Sequence, residues 1–110
     1  MTVTIKERST DARSTVLELE GRLDLYAAAD LNAALDRALR EQSRRVVLDV
    51  RRVTDIDFSL IAIIVQTGRT LAQRHATLEV VCEDNEIGDL LLTAAGGADF
   101  EVSVGREPGD

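Results

Sequence analysis

Aromatic residues are scarce. Tyr26, Phe58 and Phe100 make up 3% of the chain, too few for a base-stacking or sugar-stacking platform. Positive charge is also short: 13 Lys and Arg against 20 Asp and Glu give a formal net charge of −7. Phosphate-backbone binding rests on clustered cations, so nucleic acid is not expected as a partner. The single cysteine, Cys82, excludes an internal disulfide and suits a reducing compartment. Its place at the end of a strand-like run reads as core. The sole histidine, His75, follows Arg74 at a helix end and reads as a solvated residue, not a base or metal ligand. Gly96 and Gly97 run into Ala98 and Asp99, without the lysine and hydroxyl residue of a P-loop. The N-terminus lacks a secretory pattern, and no apolar run nears the roughly 18 residues of a membrane span. A cytoplasmic chain without membrane insertion is therefore expected, with no cofactor, no metal and no catalytic residues.

What is present is an aliphatic α/β pattern. Hydrophobic residues are 45% and charged residues 30% of the 110 positions, enough for one domain with its own core. Val3 and Ile5 alternate with Thr4 and Lys6, and Leu17 and Leu19 with Glu18 and Glu20, predicting two half-buried strands joined by a polar turn at 10–13. Gly21 is read as closing the second. Ala28, Leu31, Leu35, Ala38 and Leu39 then recur at helical spacing over 27–40. Residues 45–50 read as a buried central strand flanked by a solvated rim of Arg44, Arg45, Arg51 and Arg52. A second helix over 60–74, a strand at Thr77–Cys82, a third helix over 85–95 and a last strand at 99–104 complete the order β-β-α-β-α-β-α-β. The expected architecture is an α/β sandwich with a mixed sheet of four to five strands and about three helices, spanning 1–104, with a frayed tail at 105–110.

The densest information lies at 46–65, VVLDVRRVTDIDFSLIAIIV. A buried strand passes through an acidic turn into an almost wholly apolar helix, and Ser59 sits at the junction. Backbone N–H groups are unpaired at a helix start and the dipole there favours negative charge, so phosphate on Ser59 is physically tolerable. Ser59 and Asp57 also read as helix caps, and Asp24 as a turn residue.

The segments GRLDLYAAADLNAALDRAL (21–39) and RRVVLDVRRVTDIDFS (44–59), followed by an apolar helix, resemble the STAS domain of bacterial anti-sigma factor antagonists. The resemblance covers most of the chain and implies the STAS-like fold. It also implies that Ser59 is the phosphorylated serine, with Asp24 and Asp57 beside it. Phe58 stands where that family has a first serine and Leu60 where it has glycine, which adds a side chain beside the hydroxyl that a kinase must reach.

On this resemblance the chain is a non-enzymatic regulator. It would bind an anti-sigma factor serine kinase and lose that binding when Ser59 is phosphorylated. The expected contact surface is Asp24, Asp57, Phe58, Ser59, Leu60 and Ile63. Six consecutive apolar residues from Leu60 to Val65 exceed one helix face. If Ile61, Ile64, Val65 and Gly68 face the sheet, Leu60 and Ile63 turn outward, to a partner or a weak homodimer; a helix wedged between sheet and neighbouring helix is the other reading. Two rival functions stay open: a constitutive STAS interaction module, in a stress-signalling scaffold or on a lipid-transport ATPase, and a ligand or nucleotide sensor.

Overall fold

The computed structural model describes residues 3–11 and 13–105. The elements are β1 (Val3–Asp11), β2 (Ser14–Leu23), a 3-10 turn (Leu25–Ala27), α1 (Ala28–Arg40), β3 (Arg45–Ile56), α2 (Phe58–Gln73), β4 (Thr77–Cys82), α3 (Glu86–Ala95) and β5 (Glu101–Val104). They form one sheet of five strands in sequence order, with β1 antiparallel to β2 and the remaining neighbours parallel. The expected element order and mixed sheet are found. Gly105 still donates its N–H to the Cys82 carbonyl at 2.8 Å. The rest of the expected tail, 106–110, and part of the turn at 10–13 lie outside the described residues.

Each parallel neighbour is reached through one helix, and right-handed crossovers in a sequential sheet place successive helices on the same face. The main core is on that face, built from Leu17, Leu48 and Val80 of the sheet with Leu31, Leu35, Leu60, Ile64 and Leu91 of the helices. Strand alternation turns Val16, Val47 and Val81 to the opposite face, where they form a separate buried cluster. Arg45 pairs there with Glu79 at 2.7 Å, and Ser103 donates to the same carboxylate at 2.6 Å. Arg51 grips Asp49 through two guanidinium bonds of 3.0 and 2.9 Å. Burial pushes the Asp49 carboxyl up, but the Arg51 bonds and the charges of Arg51 and Arg52 outweigh it, leaving the pKa below its usual value. Arg45 and Arg51 are thus partly buried ion-pair partners and not the solvated rim expected of them; Arg44 and Arg52 are exposed.

Three strand boundaries differ from expectation: β5 begins at Glu101 and not at 99, and the ends of β2 and β3 move for one shared reason. β2 runs past Gly21 to Leu23, and β3 past Val50 to Ile56. Between the pairs Glu18↔Asp49 and Glu20↔Arg52, and again between Gly21↔Val53 and Arg22↔Asp55, β3 carries one extra residue. Such bulges break the alternation that identifies a strand while keeping its pairing. Gly21 takes φ of +108° at the second, a left-handed geometry that glycine tolerates. What reads as an acidic turn is the last stretch of a twelve-residue strand.

Candidate functional site

The paired residues Leu23 and Ile56 end β2 and β3 together, and neighbouring strands lie about 5 Å apart. The chain leaves both strands side by side, and the Asp57 N–H ties them by donating to the Leu23 carbonyl at 2.8 Å. Asp24 caps the 3-10 turn, its carboxylate accepting from the Tyr26 N–H at 3.1 Å. Asp57 caps α2 in an extended conformation. The two expected aspartates therefore cap adjacent turns at one end of the sheet, beyond the interior strands β2 and β3. No described hydrogen bond joins Asp24 to Ser59.

Ser59 is the second residue of α2, not a residue of a preceding loop. One oxygen of Asp57, Oδ1, accepts from both the Ser59 backbone N–H at 2.9 Å and the Ser59 hydroxyl at 2.7 Å. The backbone bond and then the hydroxyl bond hold the Asp57 carboxyl below its ordinary value of 3.8, so it is ionised at neutral pH. The Asp57 carbonyl meanwhile accepts from the Leu60 and Ile61 N–H groups at 3.0 and 3.4 Å. One residue thus takes three donors of the helix start, and a phosphate on Ser59 would compete with a carboxylate already seated there.

The apolar part of the site differs from expectation. Leu60 is fully buried and has no surface to offer a partner. Ile63 is half-buried and packs against the main core. The helix begins two residues earlier than expected, at Phe58, and Leu60 faces inward together with Ile61 and Ile64. α2 also touches both α1 and α3, so its apolar run is consumed between sheet and helices. The reason for expecting a weak homodimer on its outer face is removed. Nor does the Leu60 side chain stand beside the Ser59 hydroxyl, since it points into the core.

Phe58, by contrast, is 75% exposed, and Leu25 and Tyr26 of the neighbouring turn are 64% and 83% exposed. These three large apolar side chains flank Asp24, Asp57 and Ser59 at the same end of the sheet. Leu25 and Tyr26 escape sequence reasoning because two apolar residues after an aspartate look like the first turn of a buried helix. Only the insertion of a 3-10 turn between Asp24 and α1 leaves them outside.

Other chemistry is sparse. The Cys82 thiol is buried, and burial followed by the charges of Glu83, Asp84 and Asp89 pushes its pKa up, away from nucleophilic use. Among the described residues no three His, Cys, Asp or Glu side chains converge on a metal position. Among the described residues no helix is long and apolar enough to cross a membrane.

Several solved structures share the fold, these three among them. The anti-sigma factor antagonist SpoIIAA in its unphosphorylated form is 14% identical and superposes with a TM-score of 0.76 over 91% of this chain and 88% of that one. An anti-sigma factor antagonist from Mycobacterium paratuberculosis is 14% identical, with a TM-score of 0.67 over 91% and 86%. A DUF3478-family protein from Shewanella loihica PV-4, described as having a SpoIIAA-like fold, is 12% identical, with a TM-score of 0.63 over 97% and 88%. No curated protein sequence matches the chain. The family described as "Mlab, STAS domain" matches residues 7–103, and with that the chain belongs to the STAS domain family.

Proposed function

We propose that this STAS domain is an anti-sigma factor antagonist whose docking edge is Asp24, Leu25, Tyr26, Asp57, Phe58 and Ser59, switched by phosphorylation of Ser59. The observation that carries the reading is the Asp57–Ser59 hydrogen bond of 2.7 Å at the exposed start of α2, beside three exposed apolar side chains. The apolar group supplies contact area for a protein partner, and the aspartates supply charge that selects a basic surface around it. That partner is an anti-sigma factor that is also a serine kinase.

In the unphosphorylated state Asp57 holds the Ser59 hydroxyl in one orientation and presents its oxygen outward. Phosphoryl transfer from ATP forms the Oγ–P bond, breaks the γ-phosphate bond to ADP and removes the hydroxyl proton. Asp57, with its pKa held low, is a poor final acceptor for that proton, so the base belongs to the kinase. The product carries about −1.5 to −2 charges beside a carboxylate. It also loses the O–H that Asp57 was accepting. Both changes act at the contact edge and weaken the complex without a change of fold.

Replacement of Ser59 tests this. In a titration against the kinase with ADP present, Ser59→Ala keeps wild-type affinity within a few-fold, while Ser59→Asp binds on the order of a hundredfold more weakly. Equal affinity of both variants would remove the switch.

A second reading, a constitutive docking module on a larger assembly such as a lipid-transport ATPase, is favoured by Phe58. A 75% exposed aromatic ring next to the hydroxyl suits a permanent contact and crowds a kinase. Tight binding by Ser59→Asp as well as by wild type would support it.

A further inference from the structure

At the opposite end of α2 the structure carries a second feature, independent of the docking edge. Arg40, Arg44 and Arg74 line a groove of about 450 Å³ whose wall includes Leu39, Ser43 and Ala76, with no carboxylate among its lining residues. In a chain with 20 acidic residues against 13 basic ones, three arginines around an acid-free groove depart from the mixed surface expected of a small domain.

The ordinary explanation for arginines at helix C-termini is that they offset the unpaired last carbonyls. Both helix ends here are already capped by backbone. Gln42 and Ser43 N–H groups bond the Leu39 and Ala38 carbonyls at 3.1 and 3.2 Å, and His75 and Ala76 N–H groups bond the Ala72 and Leu71 carbonyls at 3.0 and 2.9 Å. Gln42 and His75 adopt φ of 59° to make these turns. Arg74 spends one guanidinium bond, of 3.0 Å, on the Leu39 carbonyl, which fixes the groove across α1 and α2. No described ion pair engages Arg40, Arg44 or Arg74. Ser43 is locked underneath by a 2.7 Å bond to Thr15, so the floor is rigid while the cations above it are exposed.

We infer that this groove binds a phosphate group carried by a small organic molecule or headgroup. Guanidinium forks match phosphate oxygens bidentately, and three from different segments surround a tetrahedral anion better than they would a planar carboxylate. The volume falls in the range of small-molecule sites and exceeds what bare phosphate needs, leaving room over Leu39 and Ala76 for the carbon skeleton that bears it.

The test is a ¹H–¹⁵N NMR titration of the whole chain with inorganic phosphate and with glycerol 3-phosphate, at ionic strength matched with sodium chloride. The expected result is saturable shifts confined to the amides of 42–44 and 74–76, with glycerol 3-phosphate the tighter ligand. Arg44→Ala, an exposed change that leaves the fold intact by circular dichroism, weakens binding about tenfold. Arg22→Ala, at the other end of the molecule, does not. Shifts that fail to saturate, or that Arg22→Ala reduces as much as Arg44→Ala, overturn the assignment. Vesicles of phosphatidylglycerol distinguish the source: pelleting that glycerol 3-phosphate competes away identifies a headgroup, and saturable free-ligand binding without pelleting identifies a soluble phosphoester.

Discussion

Asp57 and Ser59 make a unit in which one carboxylate oxygen serves as helix cap and as holder of the hydroxyl. Its titration reports the arrangement directly. The hydrogen bonds lower the folded-state pKa of Asp57 below 3.8, so its stabilising contribution is present above that value and is lost as pH falls through the folded-state pKa. In Ser59→Ala the hydroxyl bond disappears but the larger contribution, the backbone N–H, remains. NMR titration should therefore show the Asp57 pKa moving part of the way back toward 3.8, and a full return would contradict the double hydrogen bond. The neighbouring side chains divide by role. Leu60→Ala empties a fully buried site and should cost about 2–5 kcal/mol in chemical denaturation. Phe58→Ala should change stability by less than about 0.5 kcal/mol yet weaken partner binding at least about tenfold. The types of these residues were legible in the sequence, as were the cap and the hydroxyl. Which apolar residue faces outward was not, because six aliphatic residues in a row carry no helical phase; the phase comes from where Asp57 caps the helix.

Helices and strands were largely readable, since aliphatic alternation and helical spacing are strong and local. β4 matches expectation residue for residue, and α3 follows its asparagine cap, Asn85, which accepts from the Gly88 N–H at 2.9 Å. The sequence pattern of β3 stops six residues short of the strand because polar Arg51, Arg52, Thr54 and Asp55 interrupt it, and the two bulges that accommodate them are long-range facts of pairing with β2. Those bulges matter for the site, as they carry β3 to Leu23 and set Asp57 beside the 3-10 turn. Packing between elements was least legible. A Cβ on Gly68 of α2 would lie 2.7 Å from the Asp99 carbonyl oxygen and 3.2 Å from the Phe100 Cβ, so the helix meets the entry to β5 at backbone distance. Gly68→Ala should destabilise by about 1–3 kcal/mol in denaturant titration. A neutral or stabilising result would show that the approach of α2 to that segment is looser than described.

At the scale of the molecule, one sheet carries its helices on one face, and its two long parallel strands project the docking edge beyond the end of β4. The charge is unevenly laid out: Asp24 and Asp57 lie at that end, where Asp55 is paired with Arg22 at 3.5 Å, while Arg40, Arg44 and Arg74 gather at the far end of α2. A sixteen-residue helix joins the two, about 24 Å at the rise of an α-helix. The resemblance visible in GRLD and DIDFS extends over the whole fold, as the shared architecture of the solved relatives bears out. The docking edge as a surface is not visible in the sequence, because it is assembled from residues more than thirty positions apart in the chain.

The measurement that bears most directly on the account is intact mass spectrometry of this chain after incubation with ATP and its cognate serine kinase, beside a Ser59→Ala control. The expected result is a gain of one phosphate in the wild type and none in the control. A wild-type chain that stays unmodified while still forming the complex would contradict the switch and leave Phe58 and its neighbours as a permanent dock.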